Sequence, residues 1–202
     1  MSEKLIPFRR ADRQESADEV LLAAVAAGDN SAVEELFRRY GDRVQGILLR
    51  LRCCDRKDID DLVQTTFIEV QRSARRFDRR ASVSTWIIGI AMNVVRHHAR
   101  GERRRRVTLE AAALEVRTTS EDHRRPPDKW AAQRQLVDRL RVVFESLPTD
   151  LRIAFTLCDI EGMRGVDVAR ALRLPEGTVW RRLHEARLRL RSGLNDEVPE
   201  WD

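Results

Sequence analysis

The sequence contains few of the residues that build turns, sheets and covalent cross-links. Its 202 residues include 9 glycines, 6 prolines and 5% aromatic side chains, which disfavours an all-β fold because strands and their turns depend on these residue types. The 3 cysteines, two of them adjacent, cannot form a disulfide framework. No apolar run approaches the roughly 18 residues of a membrane-spanning helix, and the N-terminus lacks the apolar core of a signal peptide. We therefore expect a cytoplasmic protein with no membrane insertion of its own.

The abundant residues, chiefly Leu, Ala, Arg and Glu, favour helices, and apolar positions recur with helical spacing over most of the chain. A long internal stretch breaks this spacing, since it is rich in Arg, then in Ser, Thr and Glu, and ends in two prolines. The pattern predicts an all-α protein with two small helical domains joined by a flexible linker. The expected divisions are a disordered extension over 1–17, domains over 18–100 and 130–194, a linker over 101–129 and an acidic tail over 195–202.

Positive charge is concentrated in two separate stretches, although the net charge of the whole chain is only +5. Residues 72–106 hold eleven Arg against two acidic residues, a net charge of +9, and residues 173–191 hold six Arg against two Glu, a net charge of +4. The rest of the chain therefore has a net charge of −8. Two basic stretches in an otherwise acidic chain predict two contact surfaces for a polyanion. The alternative is a pair of ordinary solvated helix faces.

The end of the second half has the pattern of a helix-turn-helix, with a short helix, a tight turn over 173–177 and a longer basic helix. Val179, Leu183, Ala186 and Leu190 fall on one side of the last helix and predict its buried stripe. The opposite side and its flanks carry the candidate DNA contacts. In such motifs this part of the second helix reads base edges, so we expect Arg181 and His184 to contact bases. The full candidate set is Gly177, Thr178, Trp180, Arg181, Arg182, His184 and Glu185.

Three of these residues have a specific expected chemistry. Glu185 can accept a hydrogen bond from a cytosine amino group, while Thr178 and Arg182 lie nearer the flank and suit phosphate contacts. An ordinary surface helix of a helical bundle remains the alternative.

The sequence shows no pattern typical of an enzyme site, a metal site or a cofactor site. Cys53, Cys54 and Cys158 do not have the spacing of zinc ligands, even when His97 and His98 are counted as further ligands. Gly-rich phosphate loops and nucleophile elbows are absent from the sequence. We therefore predict no enzyme activity, no metal, no cofactor and no small-molecule substrate. Basic neighbours of the adjacent cysteines could lower a thiol pKa, which leaves a redox sensor open as an alternative.

Four stretches resemble bacterial RNA polymerase sigma factors of the extracytoplasmic-function (ECF) group. The opening helices of the family's region 2 are similar to LLAAVAAGDNSAVEELFRRY, and its D-x-x-D-L-V-Q-x-T-F helix is similar to DIDDLVQTTFIEV. The family's segment for the promoter −10 element resembles RFDRRASVSTWIIGIAMNVVRHHAR. Region 4, which reads the −35 element, is similar to LPTDLRIAFTLCDIEGMRGVDVARALRLPEGTVWRRLHEARLRLR. The resemblance implies a factor that directs core RNA polymerase to promoter DNA.

The resemblance also implies where core polymerase binds. The family's Asp-Leu-Val-Gln helix docks on the clamp coiled coil of the largest polymerase subunit, and region 4 meets the flap region of the second-largest subunit. The implied clamp contacts are Asp58, Asp61, Leu62, Val63, Gln64 and Phe67. Leu62 and Val63 have a second interpretation as core residues, so Asp61 and Gln64 are the stronger candidates for exposed contacts.

For the −10 element, the resemblance implies a loop over 77–84 and a helix over 85–98. In the family this loop forms a pocket for a base extruded from the non-template strand, which costs a few kcal/mol and is offset by stacking and polar contacts. The implied contacts are Arg76, Phe77, Arg79, Arg80, Ser82, Trp86, Asn93, Arg96 and His97. Trp86 has two interpretations, as a core residue or as an aromatic at the junction of duplex and single strand.

This sequence departs from the family at two positions of the −35 helix. The family commonly has Lys or Arg where Trp180 stands and Arg where Glu185 stands, so the −35 preference is expected to be unusual. The sequence has no counterpart of the N-terminal autoinhibitory region or the middle domain of housekeeping sigma factors. Control by a separate anti-sigma factor is therefore expected. The alternatives are a stand-alone helix-turn-helix regulator and a helical adaptor with an incidental basic face.

Overall fold

The computed structural model describes the backbone of residues 6–112 and 129–195, and the side chains of 15–105 and 135–194. All regular structure in these residues is helical, as the composition predicts. The helices are α1 (Ile6–Ala27), α2 (Asn30–Leu51), α3 (Ile59–Ser73), α4 (Val83–Ala112), α5 (Lys129–Ser146), α6 (Thr149–Phe155), α7 (Gly165–Leu172) and α8 (Glu176–Asn195). Among these residues, no helix is both long and apolar enough to cross a lipid bilayer.

The predicted disorder of the N-terminal extension is wrong for residues 6–17, since α1 begins at Ile6. Glu15 lies on α1, and its Oε1 accepts a hydrogen bond of 2.8 Å from the backbone N of Val83, the first residue of α4. One side chain of this polar segment thus has a tertiary role, because it satisfies a free N–H at the start of another helix.

The predicted start of the linker is also wrong, because α4 continues past Gly101 to Ala112. Residues 102–112 are rich in Arg, Glu and Ala, which continue a helix across a single glycine. The ion pair between Arg105 and Glu102, at 2.8 Å, adds local support. The rest of the predicted linker, residues 113–128, lies outside the described residues, as do 196–202 of the predicted tail.

Helices α1 to α4 enclose one apolar core. Gly28, with a φ of 98°, ends α1. The carboxylate of Asp29 then accepts hydrogen bonds from the backbone N of Ser31 (2.8 Å) and Ala32 (3.4 Å), which starts α2. The largest fully buried side chains of this half are Leu22, Leu36, Val44, Ile47, Leu48, Leu51, Ile87, Ile88 and Met92. This core holds α3 and α4 side by side and leaves their outer faces to carry the candidate site residues.

A buried carboxylate fixes α1 against α2. Asp18 is 1% exposed, and it accepts hydrogen bonds from the hydroxyl of Tyr40 and from Nη1 of Arg39, the latter at 2.7 Å. Burial, followed by the hydrogen bond to Asp18, raises the pKa of Tyr40 above its usual range, so the phenol keeps the proton that it donates. These polar contacts fix the position of α1, which in turn positions Glu15 at the start of α4.

In the second half, α7 and α8 form the predicted helix-turn-helix. Arg173, with a φ of 52°, ends α7 in the left-handed conformation, and the backbone N of Leu174 returns to the carbonyl of Ala169 at 3.0 Å. The predicted stripe of α8 is buried, since its four residues are between 0% and 7% exposed: Val179, Leu183, Ala186 and Leu190. Helices α5 and α6 pack on α8 through a small cluster that includes Phe144, Leu147 and Leu151.

The two halves pack against each other, chiefly through α4 and α7. One hydrophobic cluster joins the core of the first half to residues of the second, namely Ile153, Leu157, Val168, Ala169, Leu172 and Val179. The helices approach closely at Gly89, where an added Cβ would overlap the carbonyl oxygen of Ala171 and lie 3.2 Å from its Cα. A glycine in the interior of α4 thus permits direct contact between two helix backbones.

Candidate polymerase and nucleic-acid interfaces

The outer face of α3 carries exposed Asp61 and Gln64, at positions i and i+3 of the helix. The structure differs from the predicted contact set at three other positions, because Leu62 (6% exposed), Val63 (6%) and Phe67 (4%) are buried in the core. They support the helix from behind and present no side chain to a partner.

Two further residues, Asp58 and Ile68, lie at the edges of this face. Asp58 ends the short 3-10 turn before the helix and is partly exposed, with its Oδ2 3.9 Å from Nε2 of His98. Ile68 is missing from the predicted contacts, although it is 46% exposed and lies at i+7 from Asp61. Its helical spacing from Asp61 and Gln64 is the sequence signal that could have identified Ile68.

The loop before α4 is ordered by local hydrogen bonds. The hydroxyl of Ser82 accepts a hydrogen bond of 3.1 Å from the backbone N of Thr85 and donates to its Oγ1 at 2.9 Å, so Ser82 caps α4. Arg79 adopts a φ of 56° and pairs with Glu19 at 3.3 Å. Arg80 is 85% exposed and lies 3.5 Å from Asp78. The loop therefore presents guanidinium groups to solvent on a defined backbone.

Trp86 is half-buried, so it is neither a fully buried core residue nor a freely exposed aromatic. Its ring meets the ring of Phe77 edge to face, with centroids 5.4 Å apart. The pair joins the loop to the first turn of α4, both rings are partly exposed, and Trp86 lines a cleft. An aromatic pair at such a place offers a surface on which a base can stack.

The cleft lies between α3 and α4 on one side and α7 with its following turn on the other, and encloses about 1360 Å³. The α4 side carries Asn93 and His97, both exposed. Cationic side chains line both walls of the cleft: Arg76, Arg80, Arg170 and Arg173. Sequence reasoning missed Arg170 and Arg173 here, because their place depends on the packing of the two halves.

On α8, the face opposite the buried stripe is exposed. Gly177, Arg181 and His184 are exposed, and Thr178 and Glu185 are partly so. Glu185 accepts a hydrogen bond of 2.7 Å from Arg189 one turn later. The first two turns of α8 thus present a mixed set of donors and acceptors, as expected of a helix that reads base edges.

Trp180 is held in a fixed position at the edge of this face. Its Nε1 donates a hydrogen bond of 3.1 Å to Glu176. Its ring lies against Gly165, where an added Cβ would be 2.8 Å from the ring atom Cε2. The indole is nevertheless 48% exposed. The result is an apolar surface that is fixed in place beside Arg181.

Comparisons with known proteins identify the family of the chain. The model of Sigma-70 region 2 matches residues 36–105, and that of Sigma-70, region 4 matches residues 138–190. The ECF RNA polymerase sigma-E factor of Haemophilus influenzae is 32% identical over 182 residues, which cover 86% of this chain and 93% of that protein. The chain belongs to the ECF family of RNA polymerase sigma factors. ECF sigma factor SigE of Mycolicibacterium smegmatis is 34% identical over 193 residues, covering 93% of this chain and 73% of that protein.

Solved structures show the same fold. CnrH, in complex with the cytosolic domain of CnrY, is similar with a TM-score of 0.60 and 25% identity, covering 90% of this chain and 99% of that one. The sigma factor RpoE of Bartonella quintana, in complex with the anti-sigma factor NepR, has a TM-score of 0.55 and 19% identity, covering 82% and 98%.

Family membership decides between the functions that the sequence leaves open. A sigma factor binds core RNA polymerase and promoter DNA to start transcription. The match to region 2 removes the two alternatives, since neither a stand-alone helix-turn-helix regulator nor a helical adaptor needs that region. The first half of this sigma factor is therefore region 2, and the second half is region 4.

One acidic residue joins the two segments of the sigma factor that are predicted to read DNA. Asp150, at the start of α6, lies 2.8 Å from Nε of Arg96 through Oδ1 and 2.9 Å from Nη2 of Arg182 through Oδ2. The side chains of Arg96 and Arg182 are 14% and 20% exposed. Of the predicted DNA contacts, one on the −10 helix and one on the −35 helix thus share a carboxylate in this structure.

The cysteines of the sigma factor are free thiols with raised pKa values. Burial raises the pKa of Cys53, of Cys158, and of Cys54 to about 11. Arg152 lowers the pKa of Cys53 and Cys54, but by less than burial raises it. The thiolates that a redox sensor requires are therefore disfavoured at neutral pH. Among the described residues, no cluster of His, Cys, Asp or Glu could hold a metal ion.

Proposed function

We propose that this sigma factor docks on core RNA polymerase through the outer face of α3 and reads promoters through two separate surfaces. Asp61 and Gln64 contact the polymerase clamp, and Asp58 and Ile68 extend that contact. The supporting observation is a helix that buries Leu62, Val63 and Phe67 while it exposes a polar face with one apolar residue. Because the buried residues hold α3 in the core, its exposed face can bind a partner without rearranging.

The two DNA surfaces have different chemistry. On α8, Arg181 and His184 contact base edges of the −35 element, flanked by Gly177, Thr178 and Glu185. For the −10 element, the aromatic pair Phe77–Trp86 offers a stacking surface, and Asn93, Arg96 and His97 extend along α4. Arg76, Arg79 and Arg80 neutralise phosphates independently of sequence, while Ser82 contributes by capping α4.

The same proposal covers what the sigma factor does not do and where it acts. It binds partners and catalyses no reaction of its own, without metal, cofactor or small-molecule substrate, in the cytoplasm where core polymerase meets the chromosome. A separate anti-sigma protein controls it. The support for this control is that a sigma factor of the same fold, from Bartonella quintana, was solved with its anti-sigma factor.

Polymerase docking is tested by titrating the fluorescently labelled chain with purified core polymerase. Asp61→Arg reverses the charge at the centre of the docking face and is expected to weaken binding at least about tenfold. Asp42→Arg makes the same charge change on an exposed position of α2, a different helix, and is the matched control. Equal affinity of the two variants would contradict the docking assignment.

Promoter reading is tested by selecting DNA from a random-sequence library with the assembled holoenzyme. We expect two separated sequence elements in the selected pool. Arg181→Ala is expected to relax base preference at one position of the upstream element, equivalent to about 1–3 kcal/mol of lost discrimination, and to leave the downstream element unchanged. A pool without paired elements would overturn the proposal.

A further inference from the structure

The apolar side of α5 is only partly covered by the other helices of region 4. Towards the end of α5, Phe144 and Leu147 are 7% and 3% exposed and belong to the cluster that joins this helix to α6 and α8. Earlier in the helix, Leu136, Val137 and Leu140 are 51%, 60% and 40% exposed. At the helical repeat, all five fall within about one third of the circumference. The three exposed residues, called here the α5 stripe, therefore continue the buried side of the helix.

The α5 stripe begins where the last turn of α8 ends. Gly193, in that turn, lies so close to Val143 that an added Cβ would be 2.7 Å from both of its methyl carbons. Helix α8 ends two residues later, at Asn195, and Val143 is three positions after Leu140 in α5. The chain that follows α8 therefore starts beside the uncovered part of α5.

Residues 196–202 have the length and the apolar side chains that a cover for the α5 stripe requires. Their sequence, DEVPEWD, contains Val198 and Trp201. Pro199 between these two favours polyproline II geometry, in which residues three apart share a side. Seven residues in that geometry extend about 22 Å, whereas the α5 stripe lies within about 10 Å of Val143 along the helix.

Charge favours the same pairing. Residues 196–202 hold four acidic residues and no basic one. Helix α5 holds four basic residues against two acidic ones, and residues 187–195 hold three Arg and no acidic residue. Arg141 and Arg191, one from each of these helices, are both exposed. An acidic segment that follows α8 thus meets a basic surface around the α5 stripe.

We propose that residues 196–202 fold back along α5 and form an intrachain cover for the α5 stripe, with Trp201 packed against Leu136, Val137 and Leu140. The acidic side chains on either side of Trp201 lie next to the arginines of α5 and α8. Individually weak contacts suffice, because a connection this short gives the segment an effective concentration in the millimolar range, roughly. A protein that binds region 4 through the α5 stripe therefore competes with a segment of the sigma factor itself. None of this depends on which residues contact polymerase or promoter DNA.

The test is methyl-resolved NMR spectroscopy of the full-length chain without a partner. We expect nuclear Overhauser contacts between the indole protons of Trp201 and the methyl groups of Leu136, Val137 and Leu140. Trp201→Ser should remove these contacts and shift the same methyl signals, because an aromatic ring no longer lies against them. Trp201 is outside the described helices, so its replacement removes no contact on which their packing depends.

A matched pair of substitutions on α5 separates the cover from a general effect on the helix. Leu140→Ser removes an apolar side chain from the α5 stripe and is expected to weaken the contacts between Trp201 and Val137. Val142→Ser is the control, because Val142 is 66% exposed and lies on the opposite side of α5. It should leave the contacts of Trp201 unchanged.

The outcomes separate this proposal from the other possible occupants of the α5 stripe. Absence of contacts between Trp201 and the stripe, with methyl signals that are the same in the unaltered chain and in Trp201→Ser, would overturn the intrachain cover. Stripe signals that depend on protein concentration but not on Trp201 would overturn it in favour of a second copy of the chain. Stripe signals that change only when core polymerase is added would overturn it in favour of polymerase. Promoter selection by the holoenzyme is a separate measurement, so failure of the cover is distinguishable from failure of the proposed function.

Discussion

Trp180 is the residue that most distinguishes the −35 surface of this sigma factor from what the resemblance leads one to expect. Its ring is held between Glu176 and Gly165 and remains half-exposed beside Arg181. An apolar ring at the major groove is suited to contact with a thymine methyl group, which is the only apolar group that base pairs present there.

We therefore predict that one thymine of the −35 element is read through its methyl group. Replacing each thymine in turn by deoxyuridine should weaken holoenzyme binding several-fold at one position, corresponding to about 1 kcal/mol. In the variant Trp180→Arg the same replacement should have no effect. Leu188→Arg, at an exposed position further along α8, is the control and should retain the sensitivity. Equal sensitivity of Trp180→Arg and the unaltered chain would exclude the contact.

The thiols give a second prediction at the scale of single residues. Because the pKa of Cys54 is raised to about 11, the neutral thiol predominates at pH 7, and the reactive thiolate increases only as the pH rises towards that value. Alkylation of Cys54 by iodoacetamide at pH 7 should be at least about tenfold slower in the folded chain than in urea, with a rate that rises with pH up to about 11. Modification as fast as that of an unfolded thiol would reopen the redox interpretation.

The predictability of single residues from the sequence depends on their surroundings. The exposure of Arg181 and His184 follows from helical phase, and the structure agrees with it. The engagement of Arg96 and Arg182 does not follow, because both meet Asp150, which is distant from each in sequence. Ile68 could have been identified from its spacing, but an isolated apolar residue on a polar face carries little weight without the fold.

Among the elements, the helices with strong apolar periodicity are those that the sequence predicts well. The buried stripe of α8 lies where helical phase puts it, at Val179, Leu183, Ala186 and Leu190. The first turns of α1 and the end of α4 are predicted wrongly, because a polar helix is held by contacts such as that between Glu15 and Val83, which periodicity does not record. Local pattern therefore predicts which helices exist better than where they begin and end.

The attachment of α1 gives a prediction at this scale. Tyr40→Phe removes a donor from the buried carboxylate of Asp18 and is expected to lower the free energy of unfolding by about 1–3 kcal/mol. Urea denaturation measures the change. In the background Asp18→Asn the same substitution should cost clearly less, since the coupling between the two groups has already been lost. Identical costs in both backgrounds would show that the hydroxyl does not act through Asp18.

At the scale of the whole molecule, the sequence predicts two regions and two basic surfaces but not how the regions pack. The contact of α4 with α7 depends on one glycine and one backbone carbonyl, Gly89 and Ala171, and a small residue inside a helix gives no indication of its partner. The cleft and its cationic walls are consequences of that packing. The charge pattern of the sequence identifies the surfaces, whereas only the fold shows that both lie next to the same carboxylate.

The basic surface of region 2 gives a prediction for the assembled holoenzyme. Arg80 is almost fully exposed, so we expect it to contact phosphate without regard to sequence. Arg80→Ala should weaken binding to all promoters alike and reduce the slope of log K against log salt concentration by about 1. Arg181→Ala should instead change the ranking of promoters. A change of ranking in Arg80→Ala would assign it to base reading.

The most direct test of the central claim is run-off transcription with purified core polymerase on a library of promoter fragments, with and without this sigma factor. We predict new, discrete start sites that require both components, that are lost with Asp61→Arg or Arg181→Ala, and that persist with Asp42→Arg. The absence of any transcript that depends on both components, together with tight sequence-specific binding by the free chain alone, would contradict the account.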